Sequence, residues 1–423
     1  MKPLTAIPLL AAALLALSPA LKGRGFSPAI HANKRMGGFS PGGSETQQRI
    51  ALGRALFFDP ALSASGKQSC ASCHDPAYAY GPPNARAVQL GGPSLHAAGL
   101  RAVPSLRYTL ARTPAWWQPR PDSLAERLTE TDNSPRGGFG WDGRFNTLHD
   151  QAAFPLLNPN EMANTQAAIL RHLRTPAYAD DLRRLYGPAV LDTPTTAFAA
   201  LRQSLEAFEL GDPSLHPFSS RYDAFLDGKA TLTPQEQHGL ALFNDPHRGN
   251  CASCHISQRG ADGSHPLFTD YQFEALGVPR NPAIPANRDP RYHDLGLCGP
   301  LRTDAASTNQ SYCGMFKTPT LRNVAARRVF FHNGRFHTLR EALEFYVQRD
   351  TNPARWYTSR APLPYDDLPP ALRTNVDRTT LPLTGRPGDT PVWSSADIDD
   401  VIAFLNTLTD ADTHTPTDTH TPR

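Results

Sequence analysis

The sequence predicts a mainly α-helical protein built from two tandem modules, related by internal duplication and threaded with long loops. Three observations predict it. A five-residue motif occurs twice, as Cys70-Ala71-Ser72-Cys73-His74 and Cys251-Ala252-Ser253-Cys254-His255. Flanking segments recur in the same order around each copy. The chain has 423 residues, more than one hydrophobic core usually serves.

The recurring segments can be set side by side. Leu52-Gly53-Arg54-Ala55-Leu56-Phe57 precedes the first motif and His238-Gly239-Leu240-Ala241-Leu242-Phe243 precedes the second. Val103-Pro104-Ser105-Leu106-Arg107 follows the first and Thr318-Pro319-Thr320-Leu321-Arg322 the second. Trp141-Asp142-Gly143-Arg144-Phe145-Asn146-Thr147-Leu148 then echoes His332-Asn333-Gly334-Arg335-Phe336-His337-Thr338-Leu339. Three matches in one order indicate two homologous modules, expected over residues 45–228 and 229–410 with a division near Gly228.

Local signals place the helices. Thr233-Pro234-Gln235-Glu236 offers an N-cap threonine, proline at the first helical position and glutamate at the third, followed by apolar residues to Phe243. Glu45 to Phe57 is its expected partner in the first module. Gln151 to Leu156 and Leu339 to Tyr346 read as helical, as do Ala163 to Tyr186 and Thr195 to Leu210. Ser395 to Leu408 closes the fold, with Ile398, Val401, Ile402 and Leu405 as its apolar stripe. High proline (41) and glycine (30) predict long loops between these helices. Residues 411–423, with His414 and His420, have nothing apolar to bury and read as a disordered tail with inert histidines.

The net charge of +3, from 42 basic and 39 acidic residues, excludes a polyanion-binding signature, and no nucleic-acid motif occurs. Met1 to Ala20 has one lysine, an apolar stretch from Ile7 to Leu17 and Ser18-Pro19-Ala20 as a small-residue cleavage site, so residues 1–20 read as a signal peptide. The alternative is a retained anchor, although the apolar stretch is short for a bilayer. The mature protein is expected to be exported, not transmembrane, and periplasmic. Of six cysteines, Cys298 and Cys313 lie outside the motifs. Either they form a disulfide, closing a loop of about 15 residues worth about 3 kcal/mol, or they remain free thiols.

The repeated motif has a chemical reason. In Cys-x-x-Cys-His, two thiols add to the vinyl groups of a haem and the adjacent histidine binds iron from one face. A lone copy also suits a zinc or redox site. Two copies inside a duplication, in an exported chain, point to two covalently bound haem c groups on cytochrome c-like domains, with His74 and His255 as iron ligands. The opposite faces decide the activity. Activating peroxide needs an open iron position beside groups that move protons and polarise the O–O bond. Aligning Trp141 with His332 aligns Pro155 with Tyr346, and proline cannot ligate whereas tyrosine can. One haem is then open and the other closed, unless Tyr346 is ordinary helix packing.

The chain resembles the bacterial dihaem cytochrome c peroxidase and MauG superfamily over about Glu45 to Leu408. The likeness is carried by Leu56-Phe57-Phe58-Asp59, both haem motifs, Trp141-Asp142-Gly143-Arg144, the run Gln151 to Met162, Phe316 to Val324, and Phe331-His332-Asn333-Gly334. The resemblance implies that Glu161 is the distal carboxylate handling protons during peroxide cleavage and Gln151 the glutamine beside it. It implies that Trp141 carries electrons between the haems and that Pro155 is the non-coordinating distal proline. Tyr346 stands where peroxidases fed by small redox proteins usually have methionine and MauG-like enzymes have tyrosine. Met315, the only methionine of the second module, is not the expected ligand. Two positions depart from the pattern. His96 is out of register with the distal histidine of the peroxidases. Ala102 replaces an asparagine commonly used by an interhaem calcium ion, so calcium between the haems is only weakly implied. Asp294 to Pro300, Tyr312-Cys313-Gly314 and Phe345 to Pro353 resemble MauG-like enzymes associated with methanobactin gene clusters, which implies a secreted, copper-binding partner whose tryptophan is oxidised.

The leading expectation is therefore a peroxide-dependent dihaem oxidase. It would take hydrogen peroxide at the His74 haem, form a high-valent two-haem state, and oxidise a side chain of a secreted partner protein by long-range electron transfer. One alternative is a dihaem peroxidase that reduces hydrogen peroxide with electrons from a small cytochrome or cupredoxin. The other is a non-enzymatic electron-transfer protein.

Overall fold

The computed structural model describes residues 44–108, 110, 112–116, 135–358 and 364–414. The expected signal peptide lies outside them. Ten α-helices are described: α1 Ser44–Phe57, α2 Leu148–Leu157, α3 Gln166–Leu173, α4 Ala179–Tyr186, α5 Pro194–Gly211, α6 Arg221–Leu226, α7 Pro234–Asn244, α8 Leu339–Gln348, α9 Pro353–Trp356 and α10 Ser395–Asn406. Sheet is confined, among the described residues, to two short antiparallel pairs. These are β1 (Leu90–Gly91) with β2 (Ala97–Ala98), and β3 (Phe273–Glu274) with β4 (Phe316–Lys317), in which Phe273 faces Lys317. The protein is mainly α-helical, as expected.

Each module is built on one pair of helices, α1 against α5 in the first and α7 against α10 in the second. The repeat fixes both crossings with a glycine. A methyl group on Gly53 would lie 1.8 Å from the Ser204 carbonyl oxygen, and one on Gly239 would lie 1.9 Å from that of Asp400. Only a residue without Cβ lets the backbones approach so closely. Phe208 and Phe404 flank the two contacts and pack into their respective cores. The first core runs from Leu52 to Leu215 and the second from Tyr222 to Leu408. Tyr222 already packs in the second core, so packing changes hands a few residues before Gly228.

Helix starts follow their caps. Thr233 accepts from the Glu236 N–H and Glu236 reaches back to Thr233; the same reciprocal pair joins Thr338 with Glu341 and Ser394 with Asp397. The expected helix from Ala163 to Tyr186 is two helices. Thr165 caps α3, and the chain breaks after Leu173, where Pro176 has no N–H and forces the preceding residue out of helical geometry.

Two arginines at matching repeat positions are buried in ion pairs, and Arg107 joins the modules. Arg322 donates two 2.8 Å bonds to Asp223 on α6. Arg107 reaches from the first module to the end of the second, donating to Asp410 (3.1 Å), Asp412 (2.8 and 2.6 Å) and Thr413 (2.8 Å). Asp410 also accepts from Tyr108 at 2.5 Å and Asn323 at 2.7 Å. This corrects the expected tail: residues 411–414 are ordered, because a buried guanidinium needs the oxygens they carry. The His414 N–H donates to the Ala77 carbonyl, and its ring lies against Tyr78. Residues 415–423, with His420, lie outside the described residues.

Substituting Gly53→Ala should force α1 and α5 apart and destabilise the protein by about 1–3 kcal/mol, with Gly239→Ala doing the same at α7 and α10. Thermal unfolding of the haem-loaded protein checks this, and an unchanged midpoint in both variants would contradict it.

Candidate active site

Both cysteine motifs fold alike. Cys70–Ser72 and Cys251–Ser253 each form one 3-10 turn. The N–H of His74 donates to the Cys70 carbonyl at 2.9 Å and that of His255 to Cys251 at 2.8 Å. Each imidazole is aimed by its Nδ1, which bonds the Tyr80 carbonyl (3.1 Å) in the first module and the Phe268 carbonyl (2.8 Å) in the second. That leaves Nε2 for a metal. Burial pushes both histidines down to about 4, so the rings are neutral at pH 7. Burial raises Cys70 and Cys251 to about 12 and Cys73 and Cys254 to about 11, and none of the four is in a disulfide.

One continuous cavity joins the two motifs. It is lined by His74 and His255 and by five of the expected residues, Trp141, Gln151, Pro155, Glu161 and Tyr346. Gln151 and Pro155 lie one turn apart on the cavity face of α2. Glu161 follows in the loop after α2 and accepts from the Asn158 amide at 2.9 Å. Burial raises Glu161 to about 7, against the opposing pull of Asn158 and the Arg144 guanidinium. A carboxyl group balanced near neutral pH can both accept and return a proton.

Tyr346 occupies in α8 the place that Pro155 occupies in α2: each is the eighth residue of a helix capped by threonine, Thr338 or Thr147. Its ring lies 5.6 Å from Phe331. Burial, reinforced by Cys254, Cys251 and Glu274, holds its phenol well above the usual range. Trp141 donates its indole N–H to the Ala102 carbonyl at 2.8 Å. His96 is exposed, its ring bonded to the Ser94 carbonyl at 2.6 Å, and neither it nor Met315 lines the cavity. Cys298 and Cys313 form a disulfide, with Cα atoms 4.9 Å apart.

The residues fit two attached haems. Each module offers paired un-ionised thiols beside a neutral, oriented imidazole. The Trp393 indole N–H and Tyr271 hydroxyl also line the cavity, buried without a hydrogen-bond partner, and a bound group bearing carboxylates would satisfy them.

Comparisons agree with this geometry. Residues 47–231 match the family model described as di-haem cytochrome c peroxidase. The methylamine utilization protein MauG of Paracoccus denitrificans is 34% identical over 384 residues, covering 85% of this chain and 88% of that protein. The chain belongs to the MauG and dihaem cytochrome c peroxidase family. The crystal structure of the diheme peroxidase BthA from Burkholderia thailandensis is similar at 42% identity and a TM-score of 0.77, covering 88% of each chain. That of a MauG-like protein associated with microbial copper homeostasis is similar at 27% identity and 0.58, covering 86% of this chain and 90% of the other. As a family member the chain is a dihaem enzyme acting on peroxide, which sets aside the non-enzymatic alternative.

Sequence reasoning passed over Asn158, Arg144 as a partner of the Glu161 carboxyl, and Glu209. Glu209 is a buried carboxyl raised to about 8 by burial, in a small cavity with Cys70, Gln151 and Glu161. Arg144 had a signal in the repeated Gly-Arg-Phe and Asn158 in the run Gln151 to Met162, whereas Glu209 had none.

If Glu161 accepts a proton from peroxide, consumption should rise as pH increases through about 7, where the carboxyl ionises. Glu161→Gln should flatten that limb and lower the rate by about 10²–10⁴. Because the folded pKa is raised, the stability contribution of protonated Glu161 is present at low pH and lost as pH rises through about 7, and Glu161→Gln should remove that loss too. Stopped-flow and denaturation measurements across pH check both.

Proposed function

We propose that the chain is a periplasmic peroxidase that takes hydrogen peroxide at the His74 haem and uses the His255 haem, closed by Tyr346, as its electron reservoir. One observation carries the proposal: equivalent positions of two threonine-capped helices hold Pro155 and Tyr346, and both line the cavity. A haem held beside Pro155 would find no protein ligand there, while the Tyr346 phenol oxygen would offer the other a hard, electron-rich ligand. The haems, when bound through the two cysteine motifs, supply the redox chemistry that receives peroxide's oxidising equivalents.

The chain's own residues do the rest. Glu161 takes the first proton of peroxide and returns it to the leaving oxygen, which departs as water. Asn158 holds the Glu161 carboxyl in place through its amide. Gln151, one turn from Pro155, orients peroxide by hydrogen bonding. The Pro155 ring keeps the open face free of a protein ligand. Trp141 passes electrons between the modules.

Electrons from a small cytochrome or cupredoxin complete the cycle in the reading the comparisons favour, since the matched family and BthA are both described as peroxidases. Oxidation of a tryptophan on a secreted, copper-binding partner is the second reading. It rests on the similarity to MauG and to the copper-associated MauG-like protein. No deep substrate pocket is needed in either reading, because electrons cross the protein.

Peroxide added to the fully ferric protein without donor should give a long-lived near-infrared charge-transfer band. Tyr346→Phe should abolish it and Tyr346→Met should shorten its life, with haem content unchanged. An unaltered band in Tyr346→Phe would sink the ligand assignment. Steady turnover with a reduced cytochrome, against mass change on a co-expressed secreted protein, separates the two readings.

A further inference from the structure

Trp141 sits inside a cage of hydrogen bonds that crosses from one module to the other, and Arg101 is at its centre. Arg101 belongs to the first module. Its Nε and Nη2 donate to the two oxygens of Asp294, in the second module, at 2.6 and 2.7 Å. Its Nη1 donates to Asp142 at 2.8 Å. The three side chains are 7%, 8% and 0% exposed, so this is a dry, three-centre contact. Asp142 follows Trp141 directly, and the residue after Arg101 supplies the Ala102 carbonyl that accepts the Trp141 indole N–H. Neighbours from the second module fix the same two stretches. The Ala102 N–H donates to the His332 carbonyl at 2.7 Å, the Lys317 N–H to the Trp141 carbonyl at 2.9 Å, and Arg302 to the Asp142 carbonyl at 2.7 Å.

We propose that Arg101 is a positioning residue for Trp141, and that it makes this seam independent of calcium. The inference rests on the reading that Trp141 carries electrons between the haems. A guanidinium is a planar fork that can bond two carboxylates at fixed angles, so one side chain sets both the distance between modules and the attitude of the indole. The calcium that the family resemblance implies does not fit the residues present. Ala102 has no side-chain oxygen to offer, and its carbonyl already accepts the Trp141 indole N–H. Asp142 is bonded by Arg101 and Arg144, and Asp294 by Arg101 and the Gly296 N–H. A divalent ion on those carboxylates would stand against the guanidinium. The positive charge that joins the modules here is a side chain.

The test uses the fully haem-loaded protein. Electron exchange between the haems is timed after rapid half-reduction, with bound calcium measured by mass spectrometry and the rate followed through chelator and calcium titrations. Arg101→Gln should slow exchange by about tenfold or more, since small displacements of an aligned path are costly. Peroxide binding at the His74 haem should be kept, and added calcium should restore nothing. Asp294→Asn should slow exchange in the same direction, and Arg101→Lys should recover only part of the rate because it lacks the fork. These two variants decide the matter if Arg101→Gln does not fold. Wild-type exchange should be indifferent to the chelator. A normal rate in Arg101→Gln beside a slow one in Trp141→Phe would overturn the positioning role alone. A wild-type rate that falls on chelation and returns with calcium would overturn the calcium statement. A normal rate in Trp141→Phe would remove the electron path itself, and with it both readings.

Discussion

A guanidinium taken out of water needs acceptors, and the arrangement of this protein hangs on two that find carboxylates. Arg107 and Arg322 hold the same place in the duplicated sequence and are among the most deeply buried side chains. Arg322 finds Asp223 and so seats α6 at the start of the second module. Arg107 finds Asp410 and Asp412 and so folds the end of the second module back onto the first. Removing one partner of such a pair leaves an uncompensated buried charge, a loss of about 3–5 kcal/mol. Of the two, the Arg107 pairs are the ones that tie one module to the other.

Within that frame the duplication is used twice and then broken. It is used at the helix crossings, where Gly53 and Gly239 allow the same close approach, and at the cysteine turns, where two histidines are aimed by two backbone carbonyls. It is broken at Pro155 and Tyr346, equivalent by position and opposite in chemistry. A scaffold that repeats while one cavity-facing residue diverges is an economical way to make two unlike metal environments, because the helix that presents the residue does not change.

The two sides of the cavity are lined differently. On the α2 side stand Glu161, balanced near neutral pH by burial against Asn158 and Arg144, and Gln151. On the α8 side stand Tyr346 and aromatic neighbours, with Phe331 at 5.6 Å and Phe345 at 6.2 Å. Between them lies Trp141, fastened through Ala102 and Asp142. A buried carboxyl stands on the Tyr346 side too, since Glu274 lines the cavity and burial raises it to about 7.

By itself the sequence determined the two-module plan, the helices with strong caps, both cysteine motifs and five cavity residues, Trp141, Gln151, Pro155, Glu161 and Tyr346. Those features are local or repeated: a cap is read within four residues, a covalent attachment motif within five, and a duplication from order alone. It read Ala163 to Tyr186 as helical without the break that the structure shows before Pro176. It read residues 411–414 as loose because their partner, Arg107, lies three hundred residues away in the chain. Tertiary structure alone decided that Arg101 meets Asp142 and Asp294, that Asn158 and Arg144 oppose the burial of Glu161, and that His96 stays at the surface. Each depends on which distant groups share a water-poor space. Spacing along the chain carries no record of that, since charge pairing and desolvation are set by distance in the folded molecule.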